Sequence, residues 1–208
     1  MLAIGITGGI GSGKTGACKI FASLGANVLY ADVVAKKVMA EDKQVIAKIQ
    51  TLFGISVLSS NEELDRRLMA KLVFSDKVLR DKLNAIVHPI VLSKISKEIN
   101  IKRKVGKYPM VVVEAALIYE SGADKMFDYV IVVNSSKESA IERIIKRDGM
   151  SKADVVQRMQ AQMPVEMKLL KADFVIHNTG DLRLLEKNCK FVFSLLKTIG
   201  AEVGTTKN

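Results

Sequence analysis

The chain has 208 residues, 49% of them apolar and 26% charged, a size and balance that suit one α/β core with a helical insertion. A net charge of +10 points to nucleic acid, an anionic membrane or small substrates dense in phosphate. With no Trp and only 5% aromatic residues the stacking platforms of a nucleic-acid binder are missing, so phosphorylated small molecules fit best.

Leu2 to Thr7 reads as a short apolar strand. Five of the next six positions, Gly8 to Gly13, are Gly or Ser, and Lys14-Thr15 then open a helical pattern. Gly8 and Gly13-Lys14-Thr15 fit the G-x-x-x-x-G-K-[ST] phosphate-binding loop between the strand and helix it requires. Glycines let the loop turn tightly, so the backbone N–H groups of Gly9, Ile10, Gly11, Ser12 and Gly13 can converge on phosphate oxygens at a helix N-terminus. Lys14 is expected on the outer phosphates of a nucleoside triphosphate and the Thr15 hydroxyl on Mg²⁺. The helix should run to Leu24 with Ala17, Ile20, Phe21 and Leu24 on its apolar face and stop at Gly25; Gly16 in its first turn is costly there.

Asn27 to Ala31 is a second short strand, and a helical pattern follows Asp32. From 33 to 105 helical segments are expected near 43–53, 64–74, 76–86 and 89–104, with an ambiguous strand at Ile55–Leu58 and a turn at Ser59-Ser60-Asn61. Ser75-Asp76 reads as a cap and Pro89 as the first position of a new helix. Met110 to Ala116, Tyr129 to Val133 and Phe174 to Ile176 are further strands, the first a nearly continuous apolar run. Helices are expected at 137–148, 151–170 and 181–198, with Val203 to Asn208 frayed. This order argues a doubly wound, parallel, five-stranded sheet of the P-loop NTPase type. The nucleotide-binding core is expected at 1–32 and 106–208, with a helical lid at about 137–165 and a helical subdomain at 33–105. Cys18 and Cys189 lack metal-ligand spacing and read as two packed, reduced thiols. Neither an export signal nor a membrane span is evident, and a cytoplasmic protein is expected.

Ligands of open α/β sheets gather beyond the carboxyl ends of the strands, which shortens the list of candidate acids and bases. Asp32 follows the second strand and suits a general base, or an acceptor that aims the substrate hydroxyl; its other reading is an N-cap for the next helix. Glu114 lies on an apolar strand, where a water-mediated Mg²⁺ contact or a buried salt bridge would account for it. Arg143 and Arg147 share a helical face that ends at Asp148-Gly149, as in a hinged lid, and Arg147 is chosen as the residue that neutralises the transferred phosphoryl group. Arg158, Lys168 and Lys171 read by default as solvated charges, as does the cluster Lys102-Arg103-Lys104 with Lys107. His177-Asn178-Thr179-Gly180 ends the last strand, where a base or ribose can be met.

Beyond the generic loop, Ile4 to Thr15 resembles the opening of dephospho-CoA kinases, as does Ala31-Asp32-Val33-Val34-Ala35-Lys36. Leu83-Asn84-Ala85-Ile86-Val87-His88-Pro89 resembles that family's segment ending in His-Pro, and Ala116-Leu117-Ile118-Tyr119-Glu120-Ser121-Gly122 its Pro-Leu-Leu-Phe-Glu-Ser-Gly. Arg143 to Ser151, Arg158 to Gln162 and Ala172 to Asn178 complete a likeness that spans nearly the whole chain. The resemblance implies transfer of the γ-phosphoryl group of ATP to the ribose 3′-hydroxyl of dephospho-CoA, with the insertion as the CoA-binding subdomain. It implies Asp32 as the catalytic aspartate, His88, Leu117 and Glu120 on the substrate side, Arg147 as lid arginine and Asn178 as a nucleotide contact. Tyr30, Lys36, Glu114 and Ala116 depart from the usual Asp, Arg, Asp and Pro. The runner-up is a nucleoside or nucleoside-monophosphate kinase of the same fold. A GTP switch lacks its Asn-Lys-x-Asp here, and a nucleic-acid-stimulated ATPase rests on charge alone.

Overall fold

The computed structural model describes residues 1–54, 57 and 64–205. Five parallel strands, β1 (Leu2–Thr7), β2 (Asn27–Tyr30), β3 (Met110–Glu114), β4 (Tyr129–Asn134) and β5 (Phe174–His177), form one sheet in the order β2-β3-β1-β4-β5. Central β1 is buried along its whole length, as a strand covered on both faces must be. The doubly wound parallel sheet expected from the sequence is present. The order reverses at β1, so the crevice at its carboxyl end is the place where such sheets bind ligands.

One face of the sheet packs Ile4, Ile6, Val112, Ile131 and Val133 against α1 (Lys14–Ser23) and the C-terminal α9 (Leu182–Thr205). Phe21 of α1 meets Phe193 of α9 edge to face at 5.6 Å. Cys18 and Cys189 are free and buried in the same cluster. On the other face, a Cβ at Gly5 would stand 2.7 Å from Phe127 and 2.9 Å from Ile118, so the absent side chain lets the segment after β3 lie on the sheet. Gly16 is different: a Cβ there would meet only Leu185, at an ordinary 3.5 Å. Gly16→Ala should therefore stabilise α1 by about 0.5–1 kcal/mol, read as a rise in Tm, and a fall would show that the loop needs glycine's freedom there.

By contacts the chain divides into two compact units, Met1–Tyr30 with Ile99–Asn208, and Ala31–Glu98. The second holds α2 (Ala31–Glu41), α3 (Lys43–Phe53), capped by the Asp42 carboxylate on the amides of Gln44 and Val45, and α4 (Arg66–Ser75). Two expectations about proline are corrected. A single helix, α5 (Lys77–Val105), runs through Pro89 where two helices were expected. Val87, Val91, Ile95 and Ile99 are buried at intervals of four, and this continuous apolar stripe offsets the backbone hydrogen bond lost at the proline. Asp76, not Ser75, provides the visible cap, accepting the Leu79 amide at 3.0 Å.

The single helix expected at 151–170 is instead two, α7 (Lys152–Gln160) and α8 (Val165–Lys171), parted at Pro164, which is extended at ψ 139°. Before them α6 (Lys137–Asp148) ends on Gly149 at φ 65°. Ile141 and Ile144 of α6 pack on Val155 of α7 with Ile10 of the loop against them. The last helix reaches Thr205, past the expected fraying point at Val203. Apart from Val57, the segments Ile55–Leu58 and Ser59-Ser60-Asn61 lie outside the described residues.

Candidate active site

The loop from Gly8 to Gly13 leaves β1 and enters α1 with Gly13 left-handed at φ 98°. Gly13 has a second constraint, since a Cβ would collide with Asn178 Nδ2. Gly11, at φ 76°, would place a Cβ 2.5 Å from the Ala140 carbonyl. Loop, α6 and the end of β5 are thus fitted at backbone distance, and side chains at these two glycines would force them apart.

Polar groups fix the loop from several sides. Lys14 Nζ donates to the carbonyls of Gly8 at 3.1 Å and Gly9 at 2.9 Å, curling over the outer part of the loop. Buried Asn178 donates to the Ser12 carbonyl at 2.9 Å. Arg143 donates to the Asn178 carbonyl at 3.2 Å and the Gly11 carbonyl at 3.4 Å. The Ile10 amide donates to Gln162 Oε1 at 3.0 Å. Arg147, the choice from the sequence, instead turns to its neighbour Asp148 at 2.7 and 2.8 Å. That carboxylate raises the Arg147 pKa, and the guanidinium holds Asp148 below the usual carboxylate range.

At the carboxyl end of β3, Glu114 lies opposite Ile6 on one side and Tyr30 on the other. Its Oε1 accepts the Thr15 hydroxyl at 2.9 Å, while its Oε2 is buried with no hydrogen-bond partner. Burial, then the charge of Glu114, pushes the Cys18 thiol far above its ordinary range, so Cys18 stays neutral beside it. Burial, with Cys18 and Glu114 adding to it, also raises the Tyr30 phenol. An orphaned carboxylate oxygen next to a helix-borne hydroxyl is a donor set that suits a hard cation.

The segment after β3 carries the other candidates. Leu117 accepts the Ser121 hydroxyl through its carbonyl at 2.6 Å. Glu120 Oε1 lies 2.8 Å from Lys168 Nζ and accepts the Met163 amide at 2.9 Å. Lys168 is completely buried, which corrects its reading as a solvated charge. Asp32 stands in the first turn of α2, so it is not the residue that caps that helix. His88 lies within α5, and burial lowers its pKa.

Arg143 and Gln162 both bind the loop, a role that no local sequence pattern marks for either. Arg143 and Arg147 are four apart on one helix and carry the same chemistry, so only the fold separates them. No group of three or more His, Cys, Asp or Glu able to hold a metal occurs among the described residues.

Comparison with known proteins adds a family to this geometry. The family model described as dephospho-CoA kinase matches residues 2–183. A relative from Syntrophotalea carbinolica named dephospho-CoA kinase is 37% identical over 182 residues, 88% of this chain and 86% of its own. A solved dephospho-CoA kinase from Campylobacter jejuni superposes with a TM-score of 0.70 at 31% identity, over 94% of this chain and 97% of that one. A Thermus thermophilus crystal structure reaches a TM-score of 0.79 at 34% identity with the same coverage.

Proposed function

We infer, because the chain belongs to the dephospho-CoA kinase family, that it carries the γ-phosphoryl group of ATP to the ribose 3′-hydroxyl of dephospho-CoA, the last step in making coenzyme A. The observation that carries the reading at atomic scale is the Lys14–Thr15–Glu114 grouping at the mouth of the glycine loop. The amides of Gly9, Gly11, Gly13 and Thr15 grip the phosphates, while that of Ile10 is taken by Gln162, and Lys14 and the α1 N-terminus supply the positive potential. Arg143 and Asn178 fix the loop where it turns into α1, with Asn178 within reach of the nucleotide. Arg147 is assigned to the transferred group, which requires it to leave Asp148 as the α6–α7 lid closes.

Thr15 and Glu114 fit Mg²⁺ on the strength of the orphaned Oε2, with Glu114 acting directly or through water. When bound there the ion neutralises charge on the outer phosphates. Asp32 follows β2 by two residues and takes or aims the acceptor hydroxyl's proton. We assign the helical subdomain at 33–105 to the CoA portion, with His88, Leu117 and Glu120 on the acceptor side. The net charge of +10 suits two polyanionic substrates, without a nucleic-acid partner. No helix among the described residues is long and apolar enough to cross a membrane, and we place the protein in the cytoplasm.

A coupled assay with ATP and Mg²⁺ offers dephospho-CoA, AMP, CMP and nucleosides as acceptors. Dephospho-CoA should be preferred by kcat/KM over every other acceptor; preference for a nucleoside or nucleotide would overturn the assignment in favour of that kinase class.

A further inference from the structure

A buried ammonium is an expensive group, and Lys168 is not needed for any step above. Its side chain is 0% exposed, and its Nζ is held by Glu120 Oε1 at 2.8 Å and the Ala116 carbonyl at 2.8 Å. A buried ion pair is weak evidence for stability, because an apolar pair of similar volume often does as well. What such a pair does supply is fixed geometry, and the neighbours of this one lead back to the loop. Glu120 accepts the Met163 amide at 2.9 Å, and the adjacent Gln162 accepts the Ile10 amide at 3.0 Å. In the other direction the Ala116 carbonyl also accepts the Thr7 hydroxyl at 3.2 Å, and Thr7 is the last residue before the glycine loop.

The contacts close a ring: Thr7, the loop to Ile10, Gln162-Met163, Glu120, Lys168, Ala116 and Thr7 again. It links the root of the loop, the segment after β3 and the exit of α7, where Pro164 has already parted the helices. Lys14 Nζ lies on the carbonyls of Gly8 and Gly9, so the outer-phosphate end of the loop is the end that carries Ile10.

We propose that Lys168 is a positioning residue for phosphoryl transfer, acting through Glu120 and the Met163 amide to hold Gln162 on the Ile10 amide and so to set the outer end of the loop relative to the α6–α7 exit. This rests on the phosphate-binding reading of the loop but not on the identity of the acceptor. Ground-state affinity for ATP comes mainly from the amides at the α1 end, which the ring does not touch. The clasp therefore bears on kcat more than on the KM for ATP.

The test is a double-mutant cycle in kcat between Lys168→Met and Gln162→Leu, with Lys168→Gln in place of Lys168→Met should that variant not fold. Each single change should lower kcat by about 10–100-fold, with the KM for ATP within about threefold, since small misplacements of reacting groups cost that much. The double variant should be no slower than the slower single variant, because both changes break one chain of contacts. Losses that multiply, or an unchanged kcat in Gln162→Leu, would overturn the proposal and leave Lys168 as packing alone. The cycle is run both on dephospho-CoA turnover and on acceptor-free ATP hydrolysis. Failure of dephospho-CoA as a substrate would then strike the acceptor assignment, while hydrolysis still decides the clasp.

Discussion

Asp32→Asn lowers turnover by about 10²–10⁴ while leaving ATP affinity and the fold in place, the range expected when a positioned proton acceptor is removed. Asparagine keeps the shape of the side chain and its hydrogen-bonding oxygen, but it cannot carry away a proton from an attacking hydroxyl. The competing role has narrowed. An N-cap precedes its helix, whereas Asp32 is the second residue of α2 and lies within the first turn. What remains of a structural role is the attraction between a first-turn carboxylate and the helix dipole, worth about 0.3–1 kcal/mol. That attraction would appear in Tm and not in kcat. Steady-state kinetics at saturating ATP, set beside a thermal melt, separates the two: a tenfold or smaller loss in kcat with a lowered Tm reduces Asp32 to helix electrostatics.

The parts of this molecule that could be read from the sequence are those in which local pattern and tertiary environment agree. Met110 to Glu114 is an unbroken apolar run ending in one carboxylate, and it becomes a buried strand that offers that carboxylate at its end. The glycine loop was legible for the same reason, since left-handed backbone and close approach at Gly11 and Gly13 exclude most other residues. Pro89 and Pro164 show where local rules stop. Pro89 was expected to start a helix and Pro164 to lie within one, and each did the opposite. At Pro89 a buried stripe runs across the defect, whereas at Pro164 the preceding residues are drawn to the loop and to Glu120. Lys168 was misread because a lysine on a short amphipathic helix is normally solvated. Its burial depends on a carbonyl 52 positions away, at a separation no periodicity encodes. That Arg143 binds the loop was beyond reach for the same reason, since both arginines suit one helical face and only tertiary contact brings Arg143 to the loop.

Lys14→Ala should lower kcat/KM for ATP by at least about 10²–10³, the loss that follows removal of one preorganised donor from a developing charge. Two effects of the same ammonium combine in that figure. In the proposed role it would make charge-assisted hydrogen bonds, about twice as strong as neutral ones, to phosphate oxygens that gain charge as the bond to the leaving group breaks. It also bridges the carbonyls of Gly8 and Gly9, so its loss leaves two backbone dipoles pointing at a polyanion with no cation between them. Lys14→Arg distinguishes these contributions. A guanidinium keeps the charge but presents a planar fork, which does not match a point donor seated on two adjacent carbonyls. If charge alone mattered, the arginine variant would recover most of the rate; if seating matters as well, it should stay within about tenfold of the alanine variant. ATP titration by calorimetry, alongside turnover of both variants, reads binding and chemistry separately. Wild-type kinetics in Lys14→Ala would remove the phosphate-binding role from the opening loop, and with it the proposed assignment of Mg²⁺ to Thr15 and Glu114.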